Sequence, residues 1–147
     1  MSQPVALPEA LAERPQLFVG GRWQDPRGTT VEEVRNPATG ARVGSAALAS
    51  VADVDAAVAA ARASFDSGDW SRATPGERAE VMHKAADHLE KLAPELAVSI
   101  TSELGCPLWF SEMAHVPNPI RHTRYYADMA RDFAYDEERT DGTNTSL

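Results

Sequence analysis

The chain has 147 residues, 43% hydrophobic and 24% charged, the proportions of one folded domain rather than of a disordered or fibrous chain. Its 14 Lys and Arg against 22 Asp and Glu leave a net charge of −8, which speaks against nucleic acid or an anionic membrane as partner, because both require basic surfaces. No apolar run approaches the ~20 residues of a membrane span. The first residues lack the charged start and apolar centre of a signal peptide, and the single cysteine, Cys106, excludes an internal disulfide. The expectation is a soluble, cytoplasmic protein.

In chain order, residues 1–16 are interrupted by proline and read as a flexible N-terminal arm. Leu17-Phe18-Val19, Gly20-Gly21 and Arg22-Trp23 then spell a hairpin: strand, a turn of two residues free to take positive φ, and a return strand. Val31 to Arg35 is a second strand, followed by the turn residues Asn36-Pro37 and Thr39-Gly40 and by a partner from Arg42 to Ala47. Two short hairpins are marginal alone in water and need something larger beneath them.

The remainder is predicted helical. Ser50-Val51-Ala52-Asp53 is a capping box opening an Ala-rich run, with Val51, Val54, Val58, Ala61 and Phe65 as its apolar stripe. Thr74-Pro75-Gly76-Glu77 is a second capping box with proline at the first helical position; Val81, Met82, Ala85, Leu89 and Leu92 are expected inward. Pro94 restarts a helix that carries Leu96, Ile100 and Leu104 to a Gly105 cap. After a short turn, Pro117 and Pro119 are expected to interrupt the chain before a last helix. Asn118 would cap it, and Ile120, Tyr126, Ala130 and Phe133 would face inward. Residues 136–147 read as a polar tail ending in a nascent strand, Thr143-Asn144-Thr145-Ser146-Leu147.

The ordered series LFVGGRW, VRNPATG, ADVDAAVAAARASFDSGDWSRATPGERAEVMHKAADHLE, ELGCPL and RYYADMA resembles the N-terminal region of the aldehyde dehydrogenase superfamily, over about Leu17 to Asp136. The resemblance implies an α/β parent fold, of which this chain would be the mostly α-helical opening with two short N-terminal β-hairpins. Residues 17–135 would then form part of an NAD(P)-binding domain. It further implies, in the complete enzyme, a cysteine thiolate that attacks the aldehyde carbon and a hydride passed to NAD or NADP. A glutamate-activated water would release the acid, and an asparagine and a backbone N–H would steady the oxyanion. All of these groups lie downstream of the present segment in the family. No catalytic, cofactor-binding or metal-ligating role is therefore carried over to any residue here.

Local candidates are read as structural. Cys106 occupies a position where the family more often has lysine. It follows the C-terminal end of a helix, the wrong electrostatic end for a thiolate, and is expected inert. His83 and His88 stand five apart, off the i, i+4 spacing that would align them. His115 and His122 flank the proline-rich break with no zinc-ligand spacing. Trp109, Phe110, Tyr125, Tyr126, Phe133 and Tyr135 read as core or interface. Three functions follow: the N-terminal part of an NAD(P)-dependent aldehyde dehydrogenase, inactive alone; a non-catalytic module docking onto a full-length relative; or an independent, mostly helical domain. The partners implied are the remaining dehydrogenase domains or a full-length relative, with no nucleic acid and no membrane.

Overall fold

The computed structural model describes residues 13–136, 138–140, 142 and 145–146. Most of the expected arm, and Leu147, lie outside these. Glu13–Arg14 (β1), which the sequence reading leaves in the arm, instead forms a two-residue strand.

Leu17–Val19 (β2) and Arg22–Gln24 (β3) pair antiparallel, Phe18 opposite Trp23. Gly20 and Gly21 have φ of 61° and 78°, so both turn residues are left-handed, the geometry whose twist matches a two-residue hairpin. Val31–Arg35 (β4) and Arg42–Ala47 (β5) form the second antiparallel pair, with a register irregularity between Val34 and Arg35. Their connection is organised by Asn36, whose Oδ1 accepts from the backbone N–H groups of Ala38 and Thr39. β1 runs parallel to β5, so the second pair belongs to a three-stranded sheet ordered β1-β5-β4, and β2–β3 stands apart from it.

Four long helices and one short one follow. Val51–Ser67 (α1) begins with the expected capping box and ends on Gly68 in the left-handed conformation. Pro75–Lys91 (α2) begins with the second box, Thr74 and Glu77. Leu92 both closes α2 and opens Ala93–Leu104 (α3), which ends on left-handed Gly105. Leu108–Phe110 (α4) runs through a π-helical turn, Ser111–His115, into Pro117–Asp132 (α5). The prolines therefore do not separate α5 from what precedes it. Pro117 and Pro119 occupy the first turn, where a missing N–H costs nothing. Asn118 does not cap; its Oδ1 accepts from Arg121 Nη2 at 2.6 Å. In the tail, Arg139–Thr140 (β6) pairs antiparallel with Thr145–Ser146 (β7), so the final strand finds its partner within the tail itself.

The core lies among α2, α3, the π turn and α5. Ala86, Ala97, Val116 and Ile120 form its centre, with Leu96, Ile100 and Leu108 packed around them. Ala79 and Ala127 are also fully covered. Small residues at these positions let helix backbones approach closely. This corrects the stripe expected on α2: Val81, Ala85 and Leu89 are exposed, and Ala79 and Ala86 face inward. Tyr126, Phe133 and Leu104 likewise point outward, as do Val51, Val54, Val58 and Phe65 along α1. The apolar spacing is helical, but among the described residues those faces stay largely exposed. No helix among the described residues is long and apolar enough to cross a membrane.

Candidate functional site

A cluster of reactive side chains sits where α3 ends and the π turn begins. Gly105, at φ 69°, turns the chain sharply and sets the half-buried Cys106 against the next segment. The wider π turn carries Ser111 and His115 to the same corner. Thr101 Oγ1 donates to Ser111 Oγ at 2.9 Å, Ser111 Oγ lies 3.2 Å from Cys106 Sγ, and His115 Nδ1 lies 3.7 Å from that sulfur. The His115 ring stacks edge-on against Phe110, centroids 4.8 Å apart. Ser111 is fully buried, so its hydroxyl must find partners inside the fold.

The sequence reading weighed Cys106 and His115 separately; the structure brings them together. A π turn leaves no composition signal, so nothing in the sequence places His115 beside the sulfur. Chemically the corner is a thiol, an imidazole and two hydroxyls in hydrogen-bond contact. The arrangement fits a polar network that ties the π turn to α3.

The remaining histidines are scattered. His83 Nε2 lies 2.9 Å from Asp128 Oδ1, joining α2 to α5; His88 and His122 are exposed. Among the described residues no group of three or more His, Cys, Asp or Glu is placed to hold a metal ion. The same two helices are joined by Arg124, which donates to Asp87 at 2.6 Å and to Glu90 at 2.5 Å. Its guanidinium is held charged beyond its ordinary range, chiefly by the Asp87 hydrogen bond. Beside it opens a cleft of about 590 Å³ floored by Ala93, Val116 and Ile120 and rimmed by Glu112 and Arg121.

At the opposite end, α1 and the β3–β4 connection are locked together by Asp53. This carboxylate, only 3% exposed, accepts from the Ser50 N–H at 2.9 Å and the Ser50 hydroxyl at 2.7 Å. It also accepts from the Arg27 N–H at 3.1 Å. These bonds hold its pKa below the ordinary carboxylate value, the Ser50 hydroxyl contributing most. Beyond the capping role that the sequence shows, Asp53 thus fixes the connection between β3 and β4 onto α1.

The described residues show no cradle of the usual kind for a dinucleotide. Its pyrophosphate calls for backbone N–H groups at a Gly-rich strand-to-helix turn. Here Gly20-Gly21 joins two antiparallel strands, and α1 and α2 present the carboxylates of Asp53 and Glu77 at their first turns.

The profile of the aldehyde dehydrogenase family matches residues 23–147, and the chain belongs to that family. It is 36% identical over 112 residues to human cytosolic 10-formyltetrahydrofolate dehydrogenase, covering 76% of this chain and 12% of that protein. To the NADP/NAD-dependent aldehyde dehydrogenase PuuC of Escherichia coli it is 35% identical over 131 residues, covering 89% of this chain and 26% of that one. The solved Mycobacterium tuberculosis aldehyde dehydrogenase in complex with NAD+ superposes with a TM-score of 0.84 at 39% identity, over 91% of this chain and 28% of that one. The chain therefore spans between about an eighth and a quarter of the curated relatives it matches. The mostly helical architecture with two short N-terminal antiparallel strand pairs corresponds to part of the α/β fold of these enzymes.

Proposed function

We propose that this chain serves as the N-terminal portion of an NAD(P)-dependent aldehyde dehydrogenase of the cytoplasm. It supplies packing surface for the parts that carry out chemistry and is inactive by itself. The complete enzyme would oxidise an aldehyde to the carboxylic acid. The observation that carries this reading is the outward-facing apolar stripe of α1, with Val51 at 79%, Val58 at 63% and Phe65 at 58% exposure, in a chain that otherwise follows the family fold. A free-standing domain would turn that stripe inward, since exposed contiguous apolar surface marks a contact site. The thiol, imidazole and hydroxyls at the α3 corner add no nucleotide-binding or oxyanion-binding geometry to this picture.

The test is a chimera in which residues 23–134 replace the matching segment of the Escherichia coli relative. An active, NAD(P)-dependent chimera is expected. A soluble, folded chimera without aldehyde oxidation would count against the proposal.

A further inference from the structure

We infer that the groove between α1 and the β2–β3 hairpin is the seat of an uncharged helix belonging to the remainder of an aldehyde dehydrogenase polypeptide. The inference rests on the proposed function and locates one contact that it requires.

Two adjoining hollows, of about 420 and 510 Å³, share Phe18, Val19, Ala57 and Ala61 and together run along the helix from Asp53 to Ser64. At 1.5 Å per residue that is about three helical turns. Phe18 and Val19 form one wall, and Val54 and Val58 the other. The floor is Ala57, Ala60, Ala61 and Ser64, at the i, i+3, i+4 and i+7 positions of one helix face. Such a row of small side chains between larger ones is a channel that accepts the side-chain ridge of a second helix at close range. The Gly20 turn closes the groove at one side, an added Cβ there lying 3.8 Å from Ala60 Cβ.

Two facts choose the occupant. Among the described residues the only charged group lining the groove is Asp53, and its carboxylate is already engaged by Ser50 and Arg27, so the described lining has no free charge to offer and suits an apolar face. The solved relatives that superpose on this segment devote about three-quarters of their length to other parts of the polypeptide.

The experiment measures association between this chain and a polypeptide carrying the rest of the Mycobacterium tuberculosis relative. Ala61→Glu places a carboxylate on the groove floor, at a position exposed in the free chain. Ala59→Glu places the same group on the opposite face of α1. Circular dichroism of all three chains should be alike. The expected result is tight association of the wild type and of Ala59→Glu, with Ala61→Glu weaker by about tenfold or more, because an unpaired carboxylate is costly to bury. If Ala61→Glu associates as well as the wild type, the groove assignment is wrong while the proposed function stands. If the wild type does not associate, both fall together.

Discussion

At the scale of single residues, two carboxylates and two glycines hold the frame. Asp53 and Glu77 close the capping boxes of α1 and α2 and both sit below their ordinary pKa. The Ser50 hydroxyl is the main cause for Asp53, and the Thr74 backbone N–H for Glu77. A carboxyl depressed in the folded state contributes stability that is complete above the ordinary carboxylate range and is lost as pH falls through the folded values. The melting temperature should accordingly drop as the pH is taken below about 4. Ser50→Ala should cost about 1 kcal/mol at neutral pH and make the melt less sensitive to acid. An unchanged acid response in thermal melts of that variant would show that the caps are not its source. Gly105 is the sharper case. Its φ is +69°, and an added Cβ would lie 2.9 Å from Ala38 Cβ and 3.0 Å from Ala38 N. Gly40 has a similar φ, +71°, with nothing within 4 Å. Both alanine variants carry the left-handed penalty of about 1–2 kcal/mol, but only Gly105→Ala also pushes the β4–β5 loop off the end of α3. Gly105→Ala should melt clearly below Gly40→Ala; equal melting temperatures would mean that the contact is slack.

Among elements, α2 packs closely on α5. This packing places Ala79, Ala86 and Ala127 at near-zero exposure, and flanks them with the Arg124 and His83 pairs. Alanines at a close helix crossing leave no room for larger side chains. Ala127→Leu should therefore lose about 1–3 kcal/mol, read from urea titration, whereas Ala85→Leu on the exposed face should change little. Comparable losses at both positions would argue against this crossing.

The same elements show how far the sequence could be read. Hairpins and helix starts were legible, because glycine pairs, capping boxes and first-turn prolines act within a few residues. Pro117 and Pro119 misled because proline is disruptive inside a helix and harmless in its first turn; which applies depends on where the helix begins. The inward face of α2 was misread for another reason. Apolar spacing identifies a helix, but its large residues, Val81 and Leu89, face away from the partner, and the buried contact is made by alanines that carry little pattern. The corner of Cys106, Ser111 and His115 was invisible, since it depends on a π turn and on side chains that meet only after the chain folds. The small-residue floor of α1 was present in the sequence, yet only the hairpin lying beside it makes a groove of it.

For the whole molecule, the described core is small and the exposed apolar surface large. Phe18 and Trp23 stack on each other, 5.1 Å between centroids, while remaining about half exposed. The pairs Tyr125–Tyr126 and Phe133–Tyr135 do the same on the far side. The tyrosine pair and Phe133–Tyr135, read from the sequence as core or interface, are surface features within the described residues. A family fold with a small described core and exposed apolar faces fits the proposed role as a packing segment.

That account is tested most directly by an assay for aldehyde-dependent reduction of NAD+ and NADP+. It would compare this chain alone, a polypeptide carrying the rest of the Mycobacterium tuberculosis relative alone, and the two mixed. The account predicts no turnover from either part and turnover from the mixture. Turnover by this chain alone, or a mixture no more active than its parts, would contradict it.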